Sequence, residues 1–138
     1  MIFVKTFVIT MLLGVTSAAC CQDLSPEAQT STSLMNLFSL YVGSQLGQKC
    51  AFLSEAESAH LRGNIAVIEQ VLVTYVGQAQ LTSLTASASR VAAHEKCDDN
   101  DKKQVGIAVT DAESWATKIR SSHAKQQSAT SAATDTKK

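Results

Sequence analysis

Leu61, Ile65, Ile68, Leu72, Tyr75 and Ala79 follow one another at steps of 4, 3, 4, 3 and 4 residues, the period of one face of an α-helix. Just ahead of them stands Ser54-Glu55-Ala56-Glu57. In this order a Ser hydroxyl takes the amide three residues on, while the Glu reaches back to the amide of the Ser. A helix beginning at Ser54 is therefore the most tightly specified element of the chain.

The same logic predicts three more helices. Ser25-Pro26-Glu27 pairs a capping hydroxyl with a proline preorganised for the first helical position and a carboxylate at the positive end of the helix dipole. From there Met35, Phe38, Val42, Leu46 and Cys50 recur at helical spacing, with Leu34, Leu37 and Tyr41 on an adjoining stripe. Helix one is expected to run to about Cys50. Between Leu81 and Cys97 the period is diluted by Ser and Thr, yet Leu81, Leu84, Ala88 and Val91 still share a face. Gly77 marks a break between helices two and three, with one continuous bent helix as the alternative. Asp98-Asp99-Asn100-Asp101 is a polar interruption rich in capping side chains. After it Val105, Ala108, Val109, Ala112, Trp115, Ala116 and Ile119 restore the 3.6-residue period, so helix four runs to about Ile119. Ser121 to Lys138 has no apolar period and reads as a disordered tail.

These elements fit one domain. The chain has 138 residues, 45% of them apolar but only 5% aromatic, which favours thin, closely packed helices over a core of bulky side chains. Residues 31–120 form the expected bundle, preceded by a linker and helix start over 20–30. Twelve basic groups balance twelve acidic ones. Loss of Lys5 with a leader would leave 11 against 12, a net of −1. No basic field exists to attract nucleic acid or an anionic membrane surface.

Residues 1–19 have the layout of a secretory signal: Lys5 near the start, an apolar stretch from Phe7 to Val15, then Thr16, Ser17, Ala18 and Ala19. The stretch is short for a bilayer span, which takes about 20 apolar residues, so cleavage is the preferred reading. A cut before Cys20 and one before Gln22 both satisfy the demand for small residues. If Cys20 becomes the first mature residue it could carry a lipid, the one route by which this chain would reach a membrane. Ser17 stands where a lipoprotein signal wants Leu or Val, so an ordinary soluble export signal is favoured. A leader with a single basic residue and the lack of any Asn-x-Ser/Thr site lean toward a bacterial source.

Export to an oxidising compartment makes a disulfide between the two cysteines of the body, Cys50 and Cys97, the expectation. Topology agrees. In an up-down bundle helices one and three point the same way, and these cysteines sit at their two C-terminal ends. The fold class is thus all-α, a disulfide-stapled up-down four-helix bundle with a disordered C-terminal tail.

Chemistry is sparse. His60, His94 and His123 fall on different elements without partners, and Glu55, Glu57 and Glu69 are accounted for by capping and solvated helix faces. Asp98, Asn100 and Lys102 imitate a calcium loop, but a Lys takes a ligand position, with no Gly at the sixth place and no Glu at the twelfth. Gly43 and Gly47 form a G-x-x-x-G that permits close approach of another helix. No nucleotide-binding, nucleophile-elbow, haem or zinc pattern is present, so no catalytic residue, metal ligand or cofactor is expected.

Helix one, with Leu37, Leu40, Tyr41, Val42 and Gly43 ahead of Cys50, followed by Cys97 half a domain later, resembles the pilotins of bacterial type II secretion over about Leu34 to Ile119. These are small four-helix exported lipoproteins with one disulfide that deliver the outer-membrane secretin. The long Ser/Thr/Lys tail and the poor lipidation signal depart from that pattern. The resemblance implies binding of a partner helix in a groove between bundle helices. The function expected is a non-enzymatic periplasmic or secreted module that binds a protein partner, as an accessory to an envelope or secretion assembly. The alternatives are a small-ligand or lipid carrier, its apolar groove lined by Phe38, Tyr41, Tyr75 and Trp115, and a secreted effector.

Overall fold

A computed structural model describes residues 26–135, with side chains from 29 to 128. The expected leader, its cleavage sites and Cys20 lie outside the described residues. Four helices follow in order: α1 (Pro26–Lys49), α2 (Glu55–Val76), α3 (Gln78–His94) and α4 (Asp99–Asp135).

Each junction is built from local hydrogen bonding. At the end of α1 the Ala51 amide donates to Gln48 O and the Phe52 amide to Gly47 O, with Ala51 at φ 53°. This is a Schellman closure with alanine in the left-handed position that glycine ordinarily fills. The expected cap of α2 is present in full: the Glu57 amide donates to Ser54 Oγ, and the Ser54 amide to Glu57 Oε2 at 2.8 Å. Gly77, at φ 79°, separates α2 from α3, so the break rather than the bent helix is found. At the start of α4 the Asn100 and Asp101 amides donate to Asp98 Oδ1, while the Cys97 and Asp98 amides donate to Asp101 Oδ2. Asp101 is thereby buried at 2% exposure with its Oδ2 accepting two backbone amides.

The bundle is up-down and stapled as expected. Cys50 and Cys97 form a disulfide with Cα atoms 5.4 Å apart, joining the ends of α1 and α3. Gly43 faces Ala108 and Gly47 faces Val105, so α1 and α4 run antiparallel. A Cβ built on Gly43 would stand 2.3 Å from that of Ala108, so Gly43 serves close helix packing, whereas one on Gly47 would stand 2.7 Å from Leu53 Cδ1, the side chain that Gly47 makes room for.

The core is small-grained, in keeping with the composition. Leu37, Leu46, Leu61, Ile68 and Val105 are fully buried, and Ala88, Ala92, Ala108, Ala112 and Ala116 let the backbones approach. Each large side chain so buried contributes about 1.5–3 kcal/mol. Helix α1 packs on all three others. It can do so because Leu37, Leu40, Tyr41, Val42 and Leu46 bury more than one stripe of its surface.

Three details differ from the expected faces. Met35 is 67% exposed, since the inward side of α1 turns to the stripe containing Leu37 and Tyr41. Tyr75 and Ala79 lie beyond the last buried residue of α2, Leu72, and both are exposed. Val91 is 40% exposed because α3 turns Ala88 and Ala92 inward instead. The chain stops contributing to the core near Ile119, yet the helix does not stop there: α4 continues to Asp135, with residues 121–128 wholly exposed. Ala, Gln, Lys and Ser extend a helix that is already nucleated; lack of an apolar period means only that residues 121–128 add nothing to the core. Residues 136–138 of the expected tail are outside the described part.

Candidate functional site

The four helices do not close into a complete ring. No Cα of α3 lies within 8 Å of one of α4, although the two are consecutive in the chain. Both pack instead on α1 and α2. A groove of about 950 Å³ opens between them. Its floor is α1, where the half-buried Phe38 and the buried Leu40 and Val42 stand beside the exposed, polar Asn36 and Ser39; one wall is the end of α3, with Val91 and Glu95; the other is α4, from Gln104 through Ile107 and Asp111 to Trp115 and Lys118. Ile107, 52% exposed, and Val91 form apolar lips above the floor. From Gln104 to Lys118 the groove follows α4 for about 21 Å at the usual rise per residue.

A second cleft, of about 290 Å³, lies near the start of α1 and includes Ser33, Ile68, Leu72, Tyr75, Trp115 and Ile119. Trp115 lines both clefts.

The four aromatic residues expected to share one groove are therefore distributed. Phe38 and Trp115 meet in the large groove, Tyr75 joins Trp115 in the small cleft, and Tyr41 lines neither. Tyr41 belongs to the core at 6% exposure, its hydroxyl donating to Glu69 Oε1 across the α1–α2 seam. Burial first, and then the Glu69 hydrogen bond, push its pKa up to about 12, with a hydrogen bond to Thr85 acting in the opposite sense.

The groove wall at the disulfide end is held twice. Besides the Cys50–Cys97 bond, Lys49 Nζ donates to the carbonyls of Ala92, Ala93 and Glu95 at 3.0, 2.9 and 2.7 Å. An ammonium at the negative end of α3 satisfies carbonyls that the helix leaves open. Opposite, Arg120 Nη2 donates to Asn64 Oδ1 at 3.0 Å and ties α4 to α2, while Asn64 Nδ2 is buried without a partner.

His60, His94 and His123 are all exposed and sit on separate helices. Among the described residues no three His, Cys, Asp or Glu side chains gather in a way that could hold a metal ion. Nor is any described helix long and apolar enough to cross a membrane.

Ile107 and Asp111 are groove residues that the periodic pattern misses, whereas Val91 belongs to the pattern but lines the groove instead of the core. The available signal is Ile107, an apolar residue in the run Val105-Gly106-Ile107-Ala108-Val109 that falls off the buried stripe of Val105, Ala108 and Ala112. Comparison with protein-family models, with curated proteins and with solved structures finds no match.

Proposed function

We propose that this chain is an exported, non-enzymatic binding module, an accessory to an envelope or secretion assembly in the periplasm or outside the cell, whose groove receives an apolar helix of a protein partner. The observation that carries the reading is the gap between α3 and α4. It leaves α1, the central helix of the bundle, as a floor whose Phe38 lies between the half-exposed Val91 and Ile107 and, farther along, Trp115. A length of about 21 Å suits three to four turns of helix better than a compact small molecule. The disulfide is consistent with an oxidising compartment.

The test places a photo-crosslinking residue at Ile107 in the exported protein, and a second at the exposed Gln70 on α2 as a control. An adduct of one defined mass from position 107 alone supports the reading; equal adducts from both positions, or none from 107, count against it. Intact mass of the same preparation distinguishes a soluble chain from one acylated at Cys20, the form that would add a membrane contact.

A carrier of small apolar ligands is the second reading, favoured by the cleft where Tyr75 and Trp115 meet over Ile68 and Leu72. At about 290 Å³ it is near the lower limit of ligand pockets. Native mass spectrometry of the exported protein would show a co-purified molecule if this cleft is the working site.

A further inference from the structure

We infer that the groove selects a cationic amphipathic helix of about 14 residues and orients it with its basic, C-terminal turn toward the disulfide end; this rests on the groove being a docking site for a helix. The charged side chains lining the groove are not evenly placed. Glu95 lies at the disulfide end, Asp111 in the middle of the α4 wall and Lys118 at the far end. Among the described residues none of these three side chains has an ion-pair or hydrogen-bond partner. All three are exposed on the rim above the floor. An apolar helix seated on Phe38, Val91, Ile107 and Trp115 would bring its flanking residues level with that rim, where complementary charge fixes register and direction.

A carboxylate at the disulfide end, a second midway and an ammonium at the far end suit a helix with Lys or Arg in its last turn and Asp or Glu in its first. That is also the arrangement a helix prefers for its own dipole. A helix so directed runs antiparallel to α4, because Gln104 is at the disulfide end of the groove and Lys118 at the other.

The chain's one tryptophan, Trp115, lies in the groove and reports on it. The oxidised full chain is titrated with three Trp-free 14-residue peptides that share Leu at three- and four-residue spacing. One carries Lys in its last turn, one carries Lys in its first turn, and one replaces each Lys by Glu. The first peptide should shift Trp115 emission saturably and bind about tenfold more tightly than the Glu peptide, the scale expected of two rim carboxylates. The chain carrying both Glu95→Lys and Asp111→Lys should reverse that preference, with an unchanged far-UV spectrum since both positions are exposed.

Equal affinity for all three peptides overturns the charge selection and leaves the groove as a docking site. Tighter binding of the peptide with Lys in its first turn overturns the direction. No binding by any peptide overturns the docking reading as well. A dimer of the free chain that Ile107→Asp dissolves assigns the groove to a second copy and overturns the proposal.

Discussion

Gly43→Ala and Gly63→Ala are the same chemical change in the middle of two helices, and the structure predicts opposite signs for them. At Gly63 an added Cβ meets nothing within 4 Å. Only the intrinsic helix preference acts there, and it stabilises by about 1 kcal/mol. At Gly43 the added Cβ would stand 2.3 Å from the Cβ of Ala108 on α4. An ordinary contact between carbon atoms is about 3.5–4.0 Å, so the two backbones must part by more than an ångström along a seam both helices depend on. Overpacking of this kind costs about 1–3 kcal/mol, and a clash so short belongs at the upper end. Set against the same helix preference, Gly43→Ala should lose about 2 kcal/mol net, and the two variants should differ by about 3 kcal/mol. For a domain near 100 residues the Gly43 change lowers the melting temperature by roughly 10 °C. Urea unfolding under non-reducing conditions, followed both by far-UV circular dichroism and by Trp115 emission, measures the pair. Equal stabilities for Gly43→Ala and Gly63→Ala would refute the close α1–α4 seam.

Reduction of Cys50–Cys97, which spans 47 residues, removes about 4 kcal/mol of loop-closure stabilisation, to be read as the shift in midpoint between oxidised and reduced protein. Ala51→Gly relieves a non-glycine residue at φ 53° and should stabilise by about 0.5–1 kcal/mol in the same urea assay; a loss would contradict the Schellman closure. Tyr41 ionises at about 12 in the folded protein against an ordinary 10.0, so its contribution is complete below pH 10 and declines as pH rises toward 12. Tyr41→Phe should flatten the fall in stability over that window, and an unchanged alkaline limb would exclude the residue as its cause.

What the sequence discloses and what it hides divide along physical lines. The Ser54 capping box, the Gly77 break and the Asp98 cap depend on residues within four positions of one another, and all are legible. The disulfide is legible too, because alternating direction brings two helix ends together. Faces are harder to read. Periodicity shows that α1 has apolar stripes but does not say which ones lie inward when three partners cover the helix, hence the exposed Met35. On α3, Ala92 beats Val91 to the interior because close packing rewards a small side chain. The groove is invisible in the pattern, since it results from α3 and α4 failing to meet. Lys49 bonding the end of α3, and Tyr41 reaching Glu69, likewise join residues 28 or more positions apart. No local rule links them.

The staple between Cys50 and Cys97 makes a covalent ring that contains all of α2 and α3, while α1 and α4 leave it side by side as two arms. The exposed joint at Gly77 lies inside the ring. Backbone scission at that joint would open the ring without releasing a fragment. It would leave a two-chain molecule of the same tertiary connectivity, in which α1 and α2 on one piece remain bonded to α3 and α4 on the other. Nicking between the middle helices is thus a lesion this architecture can absorb, whereas a cut in α1 between Leu37 and Leu46, or in α4 between Val105 and Ala116, detaches part of the core from the ring.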